Sequence, residues 1–221
     1  MSTVDNILAN MRRAGKMSDN KAKGDLGEDA VLTICYERLQ QIGNGLLYQS
    51  YTYPYQTNDD GICYTGNIKY ENGVFVDYTK DTLNDEIDVL YITPYRVFPI
   101  EVKSYGNTRL DIYDHWFNRG TTPVDKSPIA QAEKHARHLY HAIYDVLPDG
   151  NTSYIVPLVC FVDKCTVRDD RSAHFKEYIP VCILNNLKAT IAYRNKPLEY
   201  NLAIEDIREK LNQIGTARRQ F

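Results

Sequence analysis

The chain has 221 residues, of which 43% are hydrophobic and 25% charged, with a formal net charge of -3 at neutral pH. That is enough for one sizeable domain around a single core and short for two. No apolar run approaches the ~20 residues needed to cross a bilayer, and the opening MSTVDNILANMRRAGK lacks the continuous apolar block of a signal peptide, so a protein of the cytoplasm with no membrane contact is expected.

The five cysteines (Cys35, Cys63, Cys160, Cys165, Cys182) are odd in number, scattered and free of any C-x-x-C pair. Neither a disulfide framework nor a common zinc pattern is indicated, and ordinary buried thiols are a better reading than zinc ligation by Cys160, Cys165 and His174. The slight acidity counts against a nucleic-acid binder, since such domains are often strongly basic. A local cluster such as Lys134-His135-Ala136-Arg137-His138 can still face phosphates while the rest of the surface stays acidic.

Residues 1–20 are polar and weakly patterned and read as a loosely packed arm, with residues 21–221 as a single domain. From Asp25 to Gln41 the positions Leu26, Ala30, Val31, Ile34, Cys35 and Leu39 recur at helical spacing, and Gly43 supplies a stop. Between Leu46 and Tyr78 the chain alternates polar residues with tyrosines among Asn-Asp-Asp-Gly and Glu-Asn-Gly turn signals, which predicts a strand followed by hairpin material. Such tyrosines can stack on bases, but more commonly they cover a half-exposed sheet.

Two strands are expected near 86–92 and 97–104, separated by Thr93-Pro94-Tyr95-Arg96. A long loop from Gly106 to Lys126 then carries the only tryptophan, Trp116. Ser127 and Pro128 open a helix as N-cap and first-turn proline, and Ile129, Ala132, Ala136, Leu139 and Ile143 give it one buried face as far as about Asp145. Tyr154–Val162 is apolar on both faces, as in a central strand, and Tyr178–Leu184 is a second strand. Tyr200, Ile204, Ile207, Leu211 and Ile214 form a narrow stripe on a last helix. It serves as a seam for a protein partner or for self-association, or, more frequently in such helices, packs on the chain's own sheet. This order of elements predicts an α/β fold, a mixed sheet with helices on both faces.

Alternation in a strand sends Glu101 and Lys103 to one side, while Phe98, Ile100 and Val102 point the other way. If the two strands form a hairpin closed at Pro94-Tyr95, residues whose numbers sum to 189 lie opposite one another, which pairs Asp88 with Glu101 at roughly 5 Å between Cβ atoms. Two carboxylates that close repel unless one is protonated or a cation sits between them. A hard divalent ion answers the need, because Mg²⁺ takes oxygen ligands at ~2.1 Å and is often held by one or two carboxylates plus water and phosphate oxygens. Lys103 beside it would orient a water or offset charge on a reacting phosphate, as metal-assisted attack of water on a phosphodiester requires. The alternatives are a module of the same fold that binds DNA or a protein without cutting, and a plain charge pair at a strand end.

Four pieces of the sequence, GDLGEDAV (24–31), EIDVL (86–90), VFPIEVKSYG (97–106) and SPIAQAEKHARHL (127–139), resemble the nuclease-related domain (NERD) family, a branch of the PD-(D/E)XK restriction-endonuclease-like phosphodiesterases. The resemblance implies a three-layer α/β/α fold around a small mixed sheet and Mg²⁺-dependent cleavage of DNA, with Mn²⁺ as a substitute ion. By position it implies Asp88 and Glu101 as metal ligands, Lys103 as the residue assisting water, Glu28 as an accessory acid and Gln131 as a residue positioning substrate or water. Two bland readings stand beside these. Asp25-Leu26-Gly27-Glu28 also has the spacing of a capping box. Gln131, His135 and His138 share one helical stripe beside Lys134 and Arg137, which fits a phosphate-facing surface with Lys134, Arg137 and His138 touching DNA, but also plain solvation.

Overall fold

The computed structural model describes residues 20–57, 63–64, 83–104, 107–111, 116–118, 122–123, 127–162 and 166–221. The expected arm, Tyr70, Tyr78 and Cys165 lie outside these residues. Helix α1 (Asn20–Ile42) leads into strand β1 (Leu46–Thr57), the short β2 (Cys63–Tyr64), β3 (Leu83–Ile92) and β4 (Val97–Lys103). Three short strands follow, β5 (Thr108–Leu110), β6 (Trp116–Asn118) and β7 (Thr122–Pro123), then helix α2 (Pro128–Ile143). The remainder is β8 (Leu158–Phe161), β9 (Val167–Asp169), α3 (Ala173–Tyr178), β10 (Val181–Ile183), α4 (Leu184–Arg194), α5 (Ile204–Ile214) and β11 (Arg219–Gln220).

The main sheet has the order β10-β8-β4-β3-β1-β11, with β2 on the far end of β1. Strands β4, β8 and β10 run parallel, and β3 pairs antiparallel with β4 and with β1. Apolar side chains of α1 and α4, among them Val31, Cys35, Leu39, Leu187 and Ile191, cover one face through Val89, Tyr91, Phe98 and Ile100. The other face, with Tyr48, Leu90 and Val97, packs against Leu139 and Ile143 of α2 and Ile207 and Leu211 of α5. The result is the expected three-layer α/β/α arrangement.

Several expectations need correction. The first helix begins five residues before Asp25, so Asp25 is not an N-cap and the capping-box reading of Glu28 falls. The stretch 106–126 is not a plain loop: β5, β6 and β7 join β9 in a second sheet, and Trp116 is buried on it, stacked against Phe161 at 5.4 Å. Tyr178–Leu184 holds only a three-residue strand, flanked by α3 and α4. The C-terminal stripe, by contrast, follows the more frequent use expected of it, with Ile204, Ile207 and Leu211 committed to the chain's own core and Tyr200 largely exposed.

Other features are as the sequence predicts. Ser127 caps α2, its Oγ accepting from Ala130 N at 3.3 Å, with Pro128 in the first turn. Gly43 ends α1 in the left-handed region that favours glycine, at φ 73°, its N–H donating to Leu39 O at 2.9 Å. Among the described residues no helix is long and apolar enough to cross a membrane, and Cys35, Cys160 and Cys182 are buried thiols outside any disulfide.

Candidate active site

The β3–β4 register has Val89 opposite Ile100, Leu90 opposite Pro99 and Tyr91 opposite Phe98, so paired numbers sum to 189 as the hairpin reading requires. Beyond Val89 the ladder opens. In the β1–β3 register Gln49 pairs with Val89 and Tyr51 with Ile87, leaving Ser50 and Asp88 facing each other without a ladder pair. Ser50 has φ 48°, a left-handed conformation uncommon for a residue with a side chain.

This break resets the alternation of both strands. Leu47 and Val89 point toward α1 and α4, and strict alternation would send Tyr51 and Ile87 there too. Instead Tyr51 and Ile87 join the α2–α5 side, and so does Asp85, which meets α2. Asp88 sits at the break itself. Its carboxylate takes the place of a ladder carbonyl, accepting from Val102 N at 2.7 Å.

Glu101 is 3% exposed and points to the α2 side, where Lys103 donates to one of its oxygens and His135 Nε2 lies 3.0 Å from the other. The opposite ring nitrogen of His135, Nδ1, is 3.0 Å from Asp85, and His138 Nδ1 is 2.9 Å from the same Asp85 oxygen. Lys134 reaches the second Asp85 oxygen at 3.1 Å. Burial disfavours charge on both carboxylates, but hydrogen bonds from His135 outweigh it and, with the neighbouring cations, hold Asp85 and Glu101 below the ordinary range. Burial likewise works against an imidazolium, yet bonds to two acids push His135 up to about 9. At neutral pH both its ring nitrogens donate.

Asp88 is the acid without such compensation. Burial first and the Glu101 charge second push it up to about 7, against the Val102 hydrogen bond and the charge of Lys103. Glu28 adds to the repulsion from the α1 side. That acid is half-buried, accepting from Gln49 Nε2 at 3.3 Å and Ser50 Oγ at 3.2 Å, and burial raises its pKa as well. Gly27 makes this approach possible, since a Cβ there would meet Val162 Cγ2 at 2.7 Å. Acids from both faces of the sheet therefore converge where the ladder breaks.

The structure brings Glu28, Asp88, Glu101 and Lys103 together. It divides the predicted phosphate-facing stripe. His138 is only 2% exposed and tied to Asp85, so it does not offer itself to DNA; His135 is buried beside it. Lys134 is partly exposed but paired with Asp85, while Arg137 is exposed on another flank of α2. Gln131 is half-buried near the start of α2, one turn before His135. Asp85 and His135 were missed as site residues. The available signal was that His135 continues the spacing Ile129, Ala132, Leu139 along the buried face of α2.

Carboxylate oxygens are the hard donors that Mg²⁺ prefers, and each of the Glu101 oxygens keeps a lone pair beyond its bond to Lys103 or His135. Asp88 carries repulsion that a divalent ion would relieve, so the donor set fits. Among the described residues no three His, Cys, Asp or Glu side chains are grouped as a ready ligand set.

The chain matches none of the curated proteins compared with it. A likeness is found to the crystal structure of protein VC1899 from Vibrio cholerae, at 12% identity and a TM-score of 0.37, covering 87% of this chain and 42% of that one. The family model for the nuclease-related domain matches residues 23–162, more than half of the chain, from α1 through β8 and including every residue of the carboxylate cluster. The chain belongs to the nuclease-related domain family.

Proposed function

We propose that the protein is a Mg²⁺-dependent nuclease that hydrolyses DNA phosphodiester bonds at the break between β3 and β4, working in the cytoplasm, with Mn²⁺ able to replace Mg²⁺. The observation that carries this reading is the meeting of Asp88, Glu101 and Lys103 at one strand end, with Asp88 raised to about 7 by burial and by Glu101. Asp88 and Glu101 would hold the ion, together with water and substrate oxygens. When bound, such an ion polarises a phosphate and acidifies water.

The chain's own residues do the rest. His135 and Lys103 keep Glu101 ionised, and Lys103 presents an ammonium to the developing negative charge of the phosphate. Glu28, with its raised pKa, would serve as an accessory acid from the α1 side. Gln131 would orient water or substrate from the start of α2, and the exposed Arg137 would supply positive charge to the strand, joined by Lys134 as far as its pairing with Asp85 allows. Calorimetric titration with Mn²⁺ or Mg²⁺ tests the metal part directly. One uptake event in the wild type that disappears in Asp88→Asn and Glu101→Gln supports the reading, and uptake indifferent to both substitutions refutes it.

A further inference from the structure

Strands β4 and β8 are parallel, so the ends opposite the carboxylate cluster also lie together. There, two adjoining cavities of about 410 and about 270 Å³ share Ser153, Val156 and Arg194. Arg96 immediately precedes β4 and Glu101 stands five residues on, which at about 3.3 Å per residue puts these cavities roughly 17 Å from the cluster.

The smaller cavity is lined by Arg96, Arg194 and Lys196, with Glu177 the lone acid. Arg96 is only 8% exposed. Its guanidinium donates to Tyr95 O at 2.9 Å, and no described carboxylate pairs with it. Burying an arginine without a counter-ion is costly, because the group keeps its charge. Burial, and more weakly the like charge of Arg194, press against the charged form of Arg96, with Tyr154 acting the other way. Arg194 is paired with Glu177 at 3.3 Å, while Lys196 lies 4.3 Å over the ring of Tyr193 and has no described acid. Three cations against one acid, in a chain of net charge -3, mark a local excess that an anion would neutralise. The neighbouring chamber differs in character, its wall including Tyr140, Tyr178, Ile155 and Pro157.

The geometry points to this double cavity as a second ligand site, taking a small phosphate monoester of the nucleotide class. The phosphate lies among Arg96, Arg194 and Lys196, and the organic body in the chamber lined by Tyr140 and Tyr178. Two planar guanidinium forks and an ammonium suit a phosphate dianion better than a single carboxylate, since each fork can donate twice to its oxygens. This site is independent of the nuclease reading and shares only Arg137 with it, on the wall of the larger chamber.

The test is isothermal titration of the full chain with deoxyadenosine monophosphate, inorganic phosphate and deoxyadenosine, in the presence of EDTA so that the carboxylate cluster holds no metal. Expected are binding of the nucleotide about tenfold tighter than of inorganic phosphate, no binding of the nucleoside, and a loss of about tenfold or more in Arg96→Met and in Lys196→Glu. Lys196 is exposed, so its reversal probes the site without disturbing the core. Absence of nucleotide binding, nucleotide binding no tighter than phosphate, or affinity unchanged in the Lys196 variant overturns the assignment.

Discussion

His135 bridges Asp85 and Glu101, each ring nitrogen 3.0 Å from a carboxylate oxygen. The bridge crosses from β3 to β4 through helix α2, so one imidazolium joins three elements. Because the folded His135 titrates at about 9 against an ordinary 6.5, its contribution to stability is whole below pH 6.5 and is lost as pH rises through 9. The contribution is on the order of 3 kcal/mol. Thermal unfolding followed from pH 6 to pH 10 should show a fall in Tm over that window for the wild type, and a flatter profile for His135→Gln.

Asp85 is 2% exposed and receives His135, His138 and Lys134. Removing it leaves those donors buried or half-buried without their acceptor. Asp85→Ala is expected to cost about 3–5 kcal/mol, the scale for breaking a buried ionic network, and denaturant unfolding measures it. A loss below about 1 kcal/mol would place the network on the scale of ordinary surface pairs.

Asp88 should behave in the opposite sense. Its folded pKa is raised to about 7, so in the folded state its charge is a liability that appears as pH climbs from the unfolded value near 4 and is complete above 7. Asp88→Asn keeps an oxygen for Val102 N–H while discarding the charge. In chelator, its Tm should match the wild type near pH 4 and exceed it at pH 8, by a stability difference on the order of 4 kcal/mol. A variant less stable than the wild type at pH 8 would show that the charge is compensated.

Two glycines of α1 make a paired test of how tightly the helix seats Glu28. Gly27→Ala gains about 1 kcal/mol of helix propensity but drives a methyl into Val162, at a cost of about 1–3 kcal/mol, so a net loss is expected. Gly24 has nothing within 4 Å of the same position, and Gly24→Ala should stabilise by up to about 1 kcal/mol. Equal effects in the two variants would mean that α1 shifts freely on the sheet.

The parts of this fold legible in the sequence are those governed by local chemistry. Ser127-Pro128 announces the start of α2 by capping, Gly43 announces the end of α1, and the Pro94-Tyr95 turn fixes the register that runs from Ile92–Val97 to Val89–Ile100, one step short of the expected Asp88–Glu101 pair. What escaped is governed by tertiary context. Nothing in the letters marks Ser50 for positive φ, so the reset that turns Asp85 toward α2 is invisible to a period-two count. His135 and His138 looked like solvated residues because their acid partner lies 50 residues or more away in sequence. Helix α4 was missed because only Leu184, Leu187 and Ile191 are buried in it, too sparse a stripe to stand out beside the apolar strand before it. The short strands of the second sheet are only two or three residues long, below the length at which alternation can be recognised.

The central claim is that Asp88, Glu101 and Lys103 act together on a phosphodiester, and supercoiled plasmid nicking in Mg²⁺ tests it most directly. The wild type should convert plasmid to the open circle, stop in EDTA, and lose at least about 100-fold in rate in Lys103→Ala and in Asp88→Asn, on the scale of losing one electrostatic stabiliser of the transition state. Undiminished nicking by either folded variant would contradict the account, and so would a wild type that leaves plasmid intact in both Mg²⁺ and Mn²⁺.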